Sequence, residues 1–309
     1  MALELYRAEY SLMSGSHHLH AITVEKLPFI QQRQTHFNEE CANALKWSYR
    51  VQGWTAKSLE KQITGIKTAT WGAYGQQSYS KKRTLHVLVL FSWLSQICIK
   101  SLFSGNNIEQ HYGKGKHRTV VECMAYASKL STAQFRELIN ALLLKSQANL
   151  DKTSFSELLA KANIILQKLE YYRADHFLMP MDIDVDEFKY DFYRSVARVL
   201  YEWRTTLGVS EELMAAMLGE SVEKYRDYEN PQKLVSIPVT AIMRLIIDFK
   251  ADEAAPIQFS KHMEVYTGLK LLQGVQKTRK ELITLVTSGF DRQMQQQVAN
   301  FVKVFVKFY

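Results

Sequence analysis

The stretch from Gly65 to Arg83 holds four cations, Lys67, Lys81, Lys82 and Arg83, and no acid. Among them stand Thr68, Thr70, Gln76, Gln77, Ser78 and Tyr79, each with a compact hydrogen-bonding group. Cations without counter-charge suit contact with a polyanion, and hydroxyls and amides add directed bonds to phosphate oxygens or base edges. If each of the four cations neutralises one phosphate, log K falls against log salt with a slope of about −3.6 per subunit. A second basic segment, "GKGKHR", places Lys114, Lys116 and Arg118 in a loop-like context. Its glycines lack the GxxxxGK[ST] spacing that wraps a phosphate in backbone N–H groups, so a nucleotide-binding loop is excluded. Its cations either touch a nucleic-acid backbone or are solvated.

Other chemistries find little support. His17, His18 and His20 in "SGSHHLH" have no acidic or cysteine ligand at a recognisable spacing, so an exposed turn is expected there rather than a metal site. Asp182, Asp184 and Asp186 alternate, but the glycine and distal glutamate of a calcium loop are missing, and Asp186 is expected to cap a helix. There is no HExxH, no GxSxG and no Cys/His pair in a convincing context. No catalytic residue, cofactor or metal is therefore expected. Cys41, Cys98 and Cys123 are far apart and odd in number, which fits a reducing cytoplasm better than a disulfide framework.

The elements that would position the basic stretch are best read downstream, in Gly208–Asn230. Met214, Ala215, Leu218, Tyr225 and Tyr228 fit two short helices. Gly208 and Gly219 punctuate the turns, and Ser210 and Ser221 stand where N-caps belong. The layout is that of a helix-turn-helix. Gly53–Tyr74 repeats it: Thr55 falls where Ser210 does, Leu59 where Met214 does and Ile63 where Leu218 does. After one inserted residue, Thr64, Gly65 aligns with Gly219, Trp71 with Tyr225 and Tyr74 with Tyr228, and an internal repeat is expected.

Charge divides the chain. Residues 1–150 hold 18 Lys+Arg against nine Glu and no Asp, whereas residues 151–309 hold 21 against 22. One half is expected to face a polyanion and the other not. The opening "MALELYRAEY" has no apolar signal core, and Leu85–Ile99, the most apolar run, is too short and too polar to cross a bilayer.

In order, the chain reads as an extension at 1–40, a basic helix-turn-helix unit at 41–105, connecting helices at 106–185, a second unit at 186–250 and C-terminal helices at 251–309. The connecting helices show capping boxes at Ser131/Gln134 and Ser154/Glu157, with Leu158, Leu159 and Leu166 among the residues of an apolar face. The apolar tail "NFVKVFVKFY" needs a covering surface, and a homodimer would supply one. The class expected is mainly α, with tandem helix-turn-helix units joined and followed by helical bundle segments.

Both motifs resemble the Cro/phage-repressor class of helix-turn-helix regulators. Gly208, Ser210, Met214-Ala215, Gly219, Ser221, Tyr225, Tyr228, Glu229 and Asn230 carry the resemblance. Gly53, Thr55, Leu59, Gly65, Trp71 and Tyr74 carry it in the first copy, where Gly75 replaces the glutamate and Glu60 the alanine. With its flanking helices the match covers roughly 120 of the residues. The resemblance implies a DNA-binding transcriptional regulator whose second motif helix enters the major groove of double-stranded DNA. DNA contacts are then expected from Thr55, Lys67, Thr68, Thr70, Gln76, Gln77, Ser78, Tyr79, Lys81, Lys82 and Arg83. Subsidiary contacts fall to Lys114, Lys116, Arg118, Lys224 and Arg226. The second copy sets Glu220, Glu223, Asp227 and Glu229 against Lys224, Arg226 and Lys233, so packing or dimerisation is its expected use. A protein-interaction module that uses both motifs only for packing is the alternative.

Overall fold

Side chains that satisfy the first free backbone N–H groups decide where most of the helices begin. The computed structural model describes residues 39, 41–79, 82–99, 116–245 and 258–309. In chain order the helices are α1 (residues 41–52), α2 (Ala56–Gln62), α3 (Thr68–Tyr74), α4 (Leu85–Ser95), α5 (Lys116–Tyr126), α6 (Thr132–Gln147), α7 (Lys152–Glu170) and α8 (Ala174–Phe177). They continue with α9 (Val185–Leu207), α10 (Glu211–Leu218), α11 (Val222–Glu229), α12 (Val239–Met243), α13 (Thr267–Val286) and α14 (Arg292–Phe305). The protein is mainly α; the β pairing among the described residues is one isolated bridge between Thr84 and Pro238. No helix among them is long and apolar enough to cross a membrane.

Ser131 and Gln134 form the expected capping box at α6. Two other caps differ from expectation. Asp151, not Ser154, caps α7, its carboxylate accepting from the N–H groups of Thr153 and Ser154 at 3.0 Å each. Asp184, not Asp186, caps α9, accepting from Asp186 N at 2.9 Å and Glu187 N at 3.0 Å. In both cases one upstream carboxylate reaches two successive donors, which places the helix start two or three residues earlier. The core face of α7 is Leu158, Ala162, Ile165, Leu166 and Leu169, and Leu159 is exposed instead of facing inward.

The chain forms two compact units, each assembled from separated segments. One contains Glu40–Gln77, Val89–Ile183 and Thr267–Tyr309. In it α13 packs against α5, α6, α7 and α8, while α14 packs against α5 and α6. Arg279 of α13 is buried. It donates to the carbonyls of Ala127 at 3.3 Å, Ser128 at 3.2 Å and Leu130 at 2.6 Å, and burial pushes its guanidinium down to about 10.

The other unit contains Ser78–Leu88 and Asp184–Tyr266. In it α11 packs on α9 and α10, and α10 on α12. The buried Asp191 carboxylate accepts from the N–H groups of Glu264 at 2.9 Å and of Val265 and Tyr266 at 3.0 Å each, holding that loop to α9. This division cuts through the expected continuous unit at 41–105. The reason is backbone pairing: Leu85 N donates to Ile237 O at 2.9 Å and Val239 N to Arg83 O at 2.8 Å, joining residues 83–85 to 237–239.

Candidate nucleic-acid interface

In the motif at 53–74, Gly53 adopts φ +68° after α1, and Thr55 caps α2 in a reciprocal box with Ser58. Leu59, Ile63, Trp71 and Tyr74 are buried. Trp71 meets Phe91 of α4, ring centroids 6.2 Å apart, and the Tyr49 hydroxyl donates to the Trp71 carbonyl at 3.4 Å. In the motif at 208–230, Gly208 adopts φ +62° and Gly219 +72°, while Ser210 and Ser221 accept from Leu213 N and Lys224 N at 3.2 Å each. Met214, Leu218, Tyr225 and Tyr228 are buried at the paired positions.

The turns between the motif helices differ. Gly219 has a positive φ, and a Cβ there would lie 1.8 Å from the Arg244 guanidinium, whose Nη2 donates to Ala216 O at 3.1 Å. Gly65 is not left-handed, and α2 ends instead at Ile63 with φ −132°. The inserted Thr64 changes the corner, so the alignment of Gly65 with Gly219 holds in sequence and not in backbone conformation.

Residues 41–77 carry five cations, Lys46, Arg50, Lys57, Lys61 and Lys67, and one acid, Glu60. All five cations are exposed, and none forms an ion pair among the described residues. The spacing of Lys46 with Arg50 and of Lys57 with Lys61 puts each pair on one face of its helix. Glu60 accepts from Thr68 N at 3.0 Å and from the Thr68 hydroxyl. The Thr68 hydroxyl, its backbone N–H and then the Lys67 charge hold the Glu60 carboxyl below the usual carboxylate range.

The expected contact residues do not form one set. Thr55 is exposed but its hydroxyl caps α2, and Thr68 is tied to Glu60. Lys67 and Gln76 are exposed, Thr70 is half-buried, and Gln77 donates to Asn43 at 2.7 Å. Ser78, Tyr79, Lys82 and Arg83 belong with the other unit. There the Lys82 ammonium lies 3.0 Å from the Glu220 carboxylate. Arg83 is fully buried, with its guanidinium 5.2 Å from the Tyr79 ring centre. Its place as an exposed phosphate contact is thus corrected: pairing at 83–85 draws it inward. Lys81, Lys114 and the His17, His18 and His20 cluster lie outside the described residues. Lys116 and Arg118 stand on the first turn of α5 rather than in a loop, and their side chains are not among those described. Among the described residues no group of three or more His, Cys, Asp or Glu side chains could hold a metal ion.

In the second motif most of the charged side chains are paired with one another. The Glu229 carboxylate accepts from Arg204 Nε at 2.8 Å and Nη2 at 3.0 Å, and from the Tyr225 hydroxyl. Hydrogen bonding to Glu229 raises the Arg204 guanidinium, while burial and then the same carboxylate raise the Tyr225 phenol. Arg226 pairs with Glu211 at 2.6 Å, and Lys224 lies 5.6 Å from the Tyr228 ring centre. Glu220 faces Lys82. Of the four acids in this segment, Glu220, Asp227 and Glu229 are thus engaged by Lys82, Lys233 and Arg204.

Lys46, Arg50, Lys57 and Lys61 are not among the expected contacts, since they precede the motif's second helix; their i, i+4 spacing is the signal in the sequence that marks them. Class and site are thus those of a mainly α protein with a basic and a charge-satisfied helix-turn-helix. No family model, no curated protein and no solved structure matches the chain.

Proposed function

We propose that this protein is a sequence-specific DNA-binding transcriptional regulator of the phage-repressor helix-turn-helix type, and that its first motif contacts double-stranded DNA. The observation that carries the reading is the set of five exposed cations on residues 41–77, none in an ion pair among the described residues, around one engaged acid. If all five neutralise a phosphate, the salt slope is about −4.5, a loss of roughly 500-fold in affinity between 50 and 200 mM salt. Lys46, Arg50, Lys57 and Lys61 replace Lys81, Lys82 and Arg83 as the main phosphate contacts in this account, with Lys67 common to both.

The second motif is a packing module in the same proposal. Glu229 and Glu220 are spent on Arg204, Tyr225 and Lys82, which favours the interaction reading for that motif alone. The matched caps and buried positions support descent of both motifs from one duplicated unit. Action in the cytoplasm as a homodimer completes the proposal, the dimer supported by the exposed Phe301, Val304 and Phe308 near the C-terminus. Fluorescence anisotropy with a random labelled duplex in dilute buffer tests the central claim. Salt-dependent binding is expected, and its absence would reject the regulator.

A further inference from the structure

The end of α6, the first turns of α7 and the end of α13 enclose a pocket of about 220 Å³. It lies wholly within the unit that carries the basic motif. Leu150, Leu158, Leu285 and Phe290 give it an apolar lining, Leu158 and Phe290 being buried and Leu150 and Leu285 half-buried. A concave, mostly apolar recess with a few polar groups is the usual form of a small-molecule site. A dry cavity of about 150 Å³ holds benzene. The space here therefore suits a ring or a branched chain with a few polar atoms added.

Glu157 and Lys161 supply the charged wall. They stand four residues apart on α7, which puts their Cβ atoms about 6 Å apart on one face of the helix. Glutamate four residues before lysine is the order that favours an ion pair. Yet both are exposed, and neither forms an ion pair or hydrogen bond among the described residues. Because Asp151 caps α7, Glu157 is also free of the capping box that its spacing from Ser154 suggests. An anion and a cation side by side at an apolar recess match a molecule with both charges on one carbon and an apolar group beside them. A simple carboxylate would set its charge against Glu157, and a simple amine against Lys161.

We propose that this pocket binds a free α-amino acid with an apolar side chain. Its ammonium meets Glu157, its carboxylate meets Lys161 and its side chain lies against Leu158 and Phe290. The site is independent of the DNA contact proposed above, and no duplex enters its test.

Calorimetric titration of the full chain with leucine and with phenylalanine should show saturable binding. Serine, which has no apolar body, should bind at least about tenfold more weakly. Isocaproate and isoamylamine are leucine without its ammonium and without its carboxylate, and each should lose about tenfold in affinity, a low figure for a charged hydrogen bond because this wall is exposed. Glu157→Gln should weaken leucine by about the same factor without weakening isocaproate. Lys161→Met should weaken leucine without weakening isoamylamine. Both side chains are exposed, so neither substitution threatens the fold. No saturation by leucine or phenylalanine at millimolar concentration overturns the site. Equal binding of leucine and isocaproate, or unaltered leucine binding by both variants, overturns it as well.

Discussion

Leu59 and Met214, Ile63 and Leu218, Trp71 and Tyr225, Tyr74 and Tyr228 are four pairs of buried residues at matching places in two helix-turn-helix motifs. Outside those matched cores the motifs part. Around Trp71 the cations are exposed and the single acid is bound to a threonine of its own motif. Around Tyr225, Arg204, Glu229, Glu211 and Arg226 satisfy one another. A helix-turn-helix core therefore specifies its geometry through caps and a few buried side chains. What it can meet is set separately, by whether its surface charges are already paired.

The comparison breaks most directly if the cations are removed. With Lys46, Arg50, Lys57, Lys61 and Lys67 all changed to alanine, the salt slope of about −4.5 should fall to near zero. Lys224→Ala with Arg226→Ala should leave it unchanged. Anisotropy titrations across salt concentrations read both. An equal loss from the second pair would erase the distinction between the motifs.

The next effect concerns stability. Glu229→Ala leaves Arg204 and Tyr225 without the carboxylate that both address, in a pair whose side chains are largely withdrawn from water. Removing one partner of such a pair costs about 3 kcal/mol. Urea denaturation of the full chain should show that loss, while duplex binding by the folded protein stays as it was.

Acid should act on the unit that carries the second motif. His86 is buried there, its Nδ1 3.0 Å from the Tyr193 hydroxyl, and burial, then the Lys189 charge, pushes its imidazole down to about 4. The unfolded chain takes up this proton near pH 6.5 and the folded chain only near 4, so folding loses stability as pH falls through that window. The loss amounts to roughly 3 kcal/mol at pH 4 and is absent above pH 6.5. Thermal melts of His86→Gln should be flatter between these pH values than those of the natural chain. Parallel curves would place the acid sensitivity elsewhere.

Local signals in the sequence were reliable where one turn of chain decides the outcome. Ser210, Ser221, Thr55 and Ser131 cap the helices they precede, and Gly53, Gly208 and Gly219 take the left-handed conformation. Caps at Asp151 and Asp184 were misplaced by two or three residues because several oxygen-bearing residues compete there. Partnerships across long separations left no local mark. Lys82 meets Glu220 across 138 residues, and Arg83 looks like any surface arginine until residues 83–85 pair with 237–239. Charge asymmetry between the halves says nothing of which cations stay exposed: Arg83 is buried and Lys82 pairs with Glu220, while Lys46, Arg50, Lys57 and Lys61 are exposed.

The smallest predicted effect isolates the one acid on the basic side. Glu60 lies eight residues before Thr68, and its carboxylate takes both the backbone N–H and the hydroxyl that open α3. It is a structural cap and also a negative charge beside Lys67. Glu60→Gln keeps an amide oxygen to accept from Thr68 but removes the repulsion of phosphate. Duplex affinity should rise by about threefold in dilute salt, with a steeper salt slope, since one unit of charge is worth roughly that factor over a fourfold change in salt. Glu60→Ala removes the cap as well, so its gain in charge is offset by a looser α3 and its affinity should fall short of the glutamine variant. An equal rise in both variants would mean that the Thr68 contact does not hold the helix in place. No rise in either would mean that phosphate does not approach this edge of the motif.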